Sequence, residues 1–409
     1  PPGTAAAETG RRAEGASVEW SWPALMVLGA VFGLIYGFLL QRGDMCFTSA
    51  FRDLYAFGYT RVLKGIVVAV VVTTLGWGLA MTTGWATPDR LWVPPVGWNS
   101  LAGGFLFGVA MYIAGGCASG TLYRAGMGYG QFWLTLLGMG AGYYAFLRLF
   151  SPWLQAYFFR PLQISGPVTL YELLPFPPLV TAALAAGLIL AMVALIISPR
   201  GLAREAGEMI AFFRQSPARL LRARSWDARA VGLLIGLAST AQFSLWTIWG
   251  ITGPEARITA VVWGALDGTG AAEANPYVQG LFQGYPGLVL GPEEVLVAAI
   301  VAGAALSSWL NGTFRLRRPR WRRLPNALIG GFLLGFGSRL TPGCNVGNLI
   351  SGLPALSLHS LLATVGIAAG VYAAWKVAHL RQAALLRAAG RATAVAGGSG
   401  PAAGQAPAG

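Results

Sequence analysis

Nine apolar runs divide this chain, at about 23–40, 65–84, 101–115, 131–150, 176–197, 230–243, 294–311, 327–341 and 358–378, and few folds accommodate them. Roughly 17 to 25 apolar residues cross a bilayer core. Inside hydrocarbon each backbone N–H and C=O has to be bonded within the protein, so runs of this kind are read as helices. Composition agrees: 55% of the 409 residues are apolar, 11% are charged and the mean hydropathy is +0.58, too little charge to cover a soluble domain of this length. The expected fold is an all-α integral membrane protein with about nine transmembrane helices; several runs are short or Gly-interrupted, so the count is an inference. No small-residue cleavage pattern follows the first run, and Arg11 and Arg12 lack a signal context, so it reads as a retained span. The chain does not open on Met, which points to a processed or engineered start.

A formal charge of +14 invites a nucleic-acid reading, but the basic residues cluster in the gaps between spans. That is the pattern of the positive-inside rule, and no nucleic-acid partner is expected. Arg200, Arg204, Arg214, Arg219, Arg222, Arg224 and Arg229 mark one cytoplasmic connector, where EMIAFFRQSPARLLRA suits an amphipathic helix on the lipid surface. RLRRPRWRR at 315–323 marks another, and Arg381, Arg387 and Arg391 mark the C-terminal tail. With about nine spans these fall on one side, so the N-terminus is expected outside and the C-terminus in the cytoplasm. The loop at 264–294, with Asp267, Glu273, Glu293 and Glu294, then falls outside.

An internal repeat organises the rest. GGFLFGVAMYIAGGCASGTLYR at 103–124 aligns without gaps to GGFLLGFGSRLTPGCNVGNLIS at 330–351, with nine identities in 22 positions at an offset of 227. Upstream, GLIYG at 33–37 resembles GLLIG at 232–236, and that alignment sets Leu245 near the place of Cys46. Each repeat holds four spans and one extra span at 176–197 separates them, so the second copy is inverted. Inverted repeats of this kind carry their sites near the midplane at broken helices. The domains expected are a flexible tail over 1–21, a first membrane repeat over 22–150, an outer connector and separating span over 151–199, the basic amphipathic connector over 200–229, a second repeat over 230–380 and an Ala/Gly-rich tail over 381–409, too simple to fold.

Each of the three cysteines opens a short Gly-rich, helix-competent segment between spans: GDMCFTSAFRD at Cys46, GGCASGTLYRAG at Cys117 and PGCNVGNLISGLP at Cys344. A helix start offers free amides and the positive end of the macrodipole, which favour thiolate character and an anionic ligand. Gly115, Gly116, Pro342 and Gly343 permit a sharp turn there. The amides of Ala118, Ser119 and Gly120, and of Asn345, Val346 and Gly347, would face the turn. The bland alternative is that these small residues only let helices pack closely; two related copies, each with a cysteine at the same point, weigh against it. Three such thiols suggest a path for a small sulfur-containing anion. Under the expected topology Cys46 and Cys117 enter from the cytoplasmic side and Cys344 from outside, at different depths along one axis. With an odd number and separated motifs, free thiols are expected.

These elements also carry a resemblance. The CF-T-AFRD element around Cys46, GGC-SGT around Cys117 and PGCN-G around Cys344 resemble the signatures of the YeeE/YedE family of bacterial inner-membrane sulfur transporters, over most of residues 22–380. The resemblance implies uptake of thiosulfate through an hourglass-like helical fold with re-entrant half-helices, with Cys46, Cys117 and Cys344 at its waist. It also implies a cytoplasmic partner, a small TusA-like sulfur carrier. Family members linked to selenium or other sulfur species leave the substrate open. Outside the resemblance two rivals stand: a membrane sulfurtransferase forming a cysteine persulfide, against which counts the lack of a base beside any cysteine motif, and a less selective pore. A transporter is the expectation, not an enzyme.

Arg339, five residues before Cys344, is either an attractor for the anion or an interfacial arginine snorkelling to lipid headgroups. Asp44 and Asp53, with Arg42, Arg52, Arg61 and Lys64 nearby, read as a salt-bridge cluster at the cytoplasmic rim rather than a proton relay. Arg124 suits the C-terminal dipole of its half-helix. His359 and His379 are isolated, so no metal site and no cofactor is assigned. Trp77, Trp85, Trp92 and Trp98 read as an interfacial belt.

Overall fold

The computed structural model describes residues 20–150, 163–197 and 199–397. The chain is an all-α integral membrane protein. Its longer helices are α1 (Trp22–Gly43), α2 (Phe47–Phe57), α3 (Arg61–Thr82), α4 (Trp98–Ala114), α5 (Ala118–Gly126), α6 (Gly130–Leu149), α7 (Pro178–Ile197), α8 (Ala228–Leu245), α9 (Thr252–Asp267), α10 (Pro292–Leu310), α11 (Leu324–Leu340) and α12 (Leu358–Gly397), with a π-helical segment at Val346–Gly352. Strands β1 (Pro95–Gly97) and β2 (Gln163–Pro167) form one short antiparallel pair.

Among the described residues seven helices are long and apolar enough to cross a membrane, and each falls on an expected apolar run. The helices at the two other expected spans, α6 and α11, pack against each other. Pairing between the two halves of the chain dominates the core: α1 lies on α10, α3 on α8, α4 on α12 and α6 on α11, with α4 also meeting α11 and α1 meeting α8. Backbones approach closely in these pairs. A Cβ at Gly33 would lie 2.2 Å from the Leu296 carbonyl oxygen, and one at Gly142 would lie 2.1 Å from that of Phe332, so any larger residue would push the helices apart.

The basic connector is folded onto the body. It forms helices Pro199–Phe213 and Pro217–Arg222, broken where Ser216 precedes Pro217. Arg42, fully buried at the end of α1, donates to the carbonyls of Ala223 (2.5 Å) and Leu221 (2.9 Å) and stacks near Trp226. Arg229 pairs with Asp227 (2.7 Å) and Glu208 (3.0 Å), and Lys64 pairs with Glu205. Beside Arg229, the Asp227 carboxyl is held below its ordinary value.

Several expectations change. The C-terminal segment expected to stay unfolded is helical as far as Gly397, because its Ala, Leu and Arg residues are strong helix formers and prolong α12; residues 398–409 lie outside the described residues, as do 1–19 and 151–162. The acidic stretch at 264–294 is no plain loop, since α9 and the short helices Thr269–Glu273 and Pro276–Leu281 run through it. Three of its four carboxylates are tied down: Glu293 and Glu294 hold the buried Arg257, and Asp267 meets Arg148. Trp77 is fully buried and stacked on Phe243 rather than interfacial, whereas Trp85 and Trp98 are exposed.

Candidate functional site: thiols at helix starts

All three cysteines are free and buried, and the carbonyl of each accepts an i→i+4 backbone bond at the start of a short helical segment. The Ala50 N–H donates to the Cys46 carbonyl (3.0 Å), that of Thr121 to Cys117 (2.8 Å) and that of Asn348 to Cys344 (2.8 Å). Each carbonyl thus accepts the first bond of the helix while its thiol stands at the positive end. Left-handed glycines make two of the preceding turns: Gly115 has φ 71° before Cys117, and Gly343 has φ 105° before Cys344. A fourth copy of the device exists without a thiol. The Glu255 N–H donates to the Ile251 carbonyl (3.1 Å) at the start of α9, so Ile251, not Leu245, occupies the place of Cys46 in the second half.

Two of the thiols share one site. The sulfurs of Cys46 and Cys117 are 3.9 Å apart, although the sequence reading set the three thiols at separate depths. The Ser119 hydroxyl lies 3.4 Å from the Cys117 sulfur, and the Gly120 N–H donates to that sulfur at 3.2 Å. Of the three amides expected to face an anion here, that of Gly120 is therefore engaged by the thiol, and those of Ala118 and Ser119 remain without an intrahelical acceptor. Gly120 is also the floor of the site: a Cβ there would fall 2.9 Å from the Cys46 sulfur and 3.1 Å from the Cys117 sulfur. Gly116 is pressed against Phe132. Tyr123 donates to Asp44 (2.7 Å), Arg124 lies 3.8 Å from Asp44, and Arg52 pairs with its chain neighbour Asp53 (2.8 Å); Arg42, Arg61 and Lys64 turn instead to Ala223, Trp226 and Glu205, so the expected single cluster is replaced by separate pairs.

Cys344 belongs to a second locus. It lines a cavity of about 410 Å³ with Arg90, Trp92, Trp249, Thr252 and Arg339. Gly343 packs against Trp92, and Gly347 also lines the cavity, while Val346 is buried in the core. Arg339 is 6% exposed, donates to the Thr252 hydroxyl (2.9 Å), lies over the Tyr143 ring, and keeps an unpartnered Nε. The Asn345 side chain is buried with both polar atoms unpartnered, and Asn348 donates to the Cys344 carbonyl (3.1 Å). His359 steadies this turn, joined to Ser100 (2.7 Å) and to the Pro342 carbonyl (3.1 Å).

The sequence reading thus found the residues of both loci but missed the wall of the second. Trp92 was read as part of the interfacial belt. Trp249 and Thr252 lie in the segment without a cysteine, where only the alignment of the halves could have drawn attention. Glu255 was also missed: it is buried, accepts from Tyr143 (2.6 Å) and sits in the first turn of α9. Among the described residues no cluster of metal-ligating side chains forms.

The sequence profile of the sulphur transport family matches residues 42–373. The chain is 30% identical over 356 residues to the thiosulfate transporter TsuA of Spirochaeta thermophila, covering 82% of this chain and 94% of that protein. It is 27% identical over 393 residues to thiosulfate transporter TsuA of Escherichia coli, covering 91% and 99% respectively. A segment of 111 residues is 38% identical to the probable transporter YedE of Escherichia coli, over 27% of each chain.

Proposed function

The chain belongs to the sulphur transport family, and we propose that this transporter carries thiosulfate inward across a bacterial inner membrane, with the thiols at re-entrant helix starts as its contacts. The observation that carries the reading is the repeated cap: three buried cysteines in one position relative to three helix starts, two of them with sulfurs 3.9 Å apart. Thiosulfate has one soft terminal sulfur and three hard sulfonate oxygens. Thiols meet the sulfur through weak S–H···S contacts, while helix-start amides and Arg339 meet the oxygens. Weak contacts in series suit passage, because an ion has to enter without being trapped.

In the proposed order the anion reaches Cys344 first, then the pair formed by Cys117 and Cys46, and leaves into the cytoplasm, where a TusA-like carrier takes the sulfur. The N-terminus lies outside and the C-terminus in the cytoplasm. The two halves are inverted repeats about an axis in the membrane plane. Exchange of halves carries the α1–α10 pair onto α8–α3 and the α4–α12 pair onto α11–α6, which supports that relation. Lipid surrounds the exposed apolar faces.

The test is uptake by purified protein in vesicles, with thiosulfate labelled separately at each sulfur. Entry of both labels in equal amount is the expected result. Retention of the outer sulfur on the protein would mark a persulfide-forming transferase, and equal entry of unrelated solutes would mark a pore.

A further inference from the structure

The connector between α10 and α11 carries charge that nothing in the chain neutralises. RLRRPRWRR at 315–323 holds six arginines and no carboxylate, and all six side chains are exposed. Among the described residues none of the six joins an ion pair; Arg317 lies over the Tyr129 ring instead. The other basic connector differs: there Arg204 pairs with Glu208, and Arg229 with Asp227 and Glu208. Like charges crowded into one loop repel each other, so an anionic partner from outside the chain relieves them.

The loop is also held in place. The Arg315 N–H donates to the Met127 carbonyl (3.4 Å) and that of Arg317 to Gly128 (2.8 Å), while the Gly130 N–H donates back to the Arg317 carbonyl (2.9 Å). Gly128 has φ 89°, and a Cβ there would lie 2.6 Å from the Arg315 carbonyl oxygen, so the turn joining α5 to α6 presses directly on the loop. At the near end the Asn311 side chain donates to Gln41 and to the Arg224 carbonyl, both at 3.3 Å. A backbone fixed in this way loses little freedom when a ligand arrives.

Its neighbours mark a membrane boundary. Helix α10, which leads into the loop, is long and apolar enough to cross a bilayer. Exposed tryptophans stand around the arginines: Trp309 in the last turn of α10, Trp133 in the first turn of α6, and Trp321 in the loop, which like Leu316 is 85% exposed. Tryptophan and arginine together at the end of a spanning helix belong at headgroup depth. A lipid surface covers the rings and meets the charges at once, whereas a soluble partner would leave the rings in water whenever it departed.

We propose that the 315–323 loop is a binding site for anionic phospholipid, its arginines taking the headgroup phosphates while Leu316 and Trp321 enter the upper acyl region. Because the loop is bonded to the α5–α6 turn, a bound lipid also holds the far end of the helix that Cys117 opens.

The experiment titrates the purified full chain in detergent with phosphatidylglycerol and with phosphatidylcholine, counting bound lipid by native mass spectrometry and reading the melting temperature in parallel. Wild type should prefer phosphatidylglycerol and melt higher in its presence. An arginine near an anionic surface contributes about fivefold in affinity, so Arg318→Gln combined with Arg322→Gln should lose about tenfold or more for phosphatidylglycerol, and most of the rise in melting temperature. Arg381→Gln combined with Arg387→Gln removes the same charge from exposed positions on α12 and should stay within twofold of wild type. Wild type without a preference between the lipids, a folded Arg318/Arg322 variant within twofold of wild type, or an equal loss in the α12 variant overturns the site. Should the first variant not fold, Arg320→Gln combined with Arg323→Gln decides by the same criterion. Wild type without lipid preference that binds a purified TusA-like carrier only through these arginines would assign the face to a protein and likewise overturn the lipid site. None of these readouts involves thiosulfate: a chain that fails to take up thiosulfate yet binds phosphatidylglycerol through these arginines keeps the site and loses only the transport reading.

Discussion

Replacing Gly120 by alanine adds one methyl group between the two sulfurs of the shared thiol site. The new Cβ would lie 2.9 Å from the Cys46 sulfur, 3.1 Å from the Cys117 sulfur and 3.7 Å from the Cys46 Cβ. Ordinary contact begins near 3.5 Å, so the thiols have to separate by several tenths of an ångström or α5 has to shift. The surroundings resist both, because Cys46, Cys117, Ala118, Leu122 and Tyr123 belong to one buried cluster. Overpacking of a dense core costs about 1–3 kcal/mol, a loss most membrane folds survive. The expected outcome is a protein that reaches the membrane with a modestly lower melting temperature and loses most thiosulfate uptake. A companion assay reads geometry directly: a short bifunctional thiol reagent should bridge Cys46 and Cys117 in the Cys344→Ala background, and the added methyl should slow that bridging. Uptake by Gly120→Ala at the native rate, with bridging unchanged, would refute the idea that the close spacing of this pair matters.

Cys117→Ala and Cys344→Ala should each nearly abolish thiosulfate-dependent growth at normal membrane levels, and Cys46→Ala should impair it less. Cys117→Ser keeps a donor but loses the polarizable sulfur; native transport by that variant would show that hydrogen bonding alone suffices. In a cysteine-free chain, a thiol at Ala271 should react with an impermeant reagent from the periplasm and one at Ala218 should not, both positions being exposed; the reverse pattern would invert the proposed orientation. The Asp227 carboxyl is depressed in the folded protein by Arg229, so its stabilising effect is present above the unfolded value of about 3.9 and fades as pH falls through the lower folded value. Asp227→Asn should accordingly lower the melting temperature at neutral pH and converge on wild type in strong acid, and an equal gap at both pH values would count against the pairing.

Much of this was legible in the sequence because apolar length and glycine pattern are local signals. The places of the spans and the helix-opening character of all three cysteine segments follow from a few consecutive residues. What escaped the reading depends on partners far along the chain. Cys46 and Cys117 are 71 residues apart, and their contact is set by how α2 and α5 enter the core rather than by either motif. Most of helix α9 fell in no expected span, because Gly253, Pro254, Glu255 and Arg257 interrupt its apolar pattern; in the fold Tyr143 donates to Glu255, and Glu293 and Glu294 pair with Arg257. Trp77 and Trp92 carry no local mark that separates a tryptophan in the core or on a cavity wall from one at the lipid boundary.

The crossed pairing of helices also bears on how the chain is made. Neither half can close its own core, since α1 waits for α10 and α4 waits for α12. At about 5–20 residues per second of synthesis, the roughly 250 residues between Gly43 and Pro292 take roughly 12 to 50 s to follow α1 into the bilayer. Through that interval Gly29, Gly33 and Gly37 of α1 lack the backbone of Pro292, Leu296 and Ile300 that they pack against in the finished fold. Truncated chains ending before Pro292 should therefore be inserted yet fall to membrane proteases, and survival of such a fragment at full-length levels would mean that the first half stands alone.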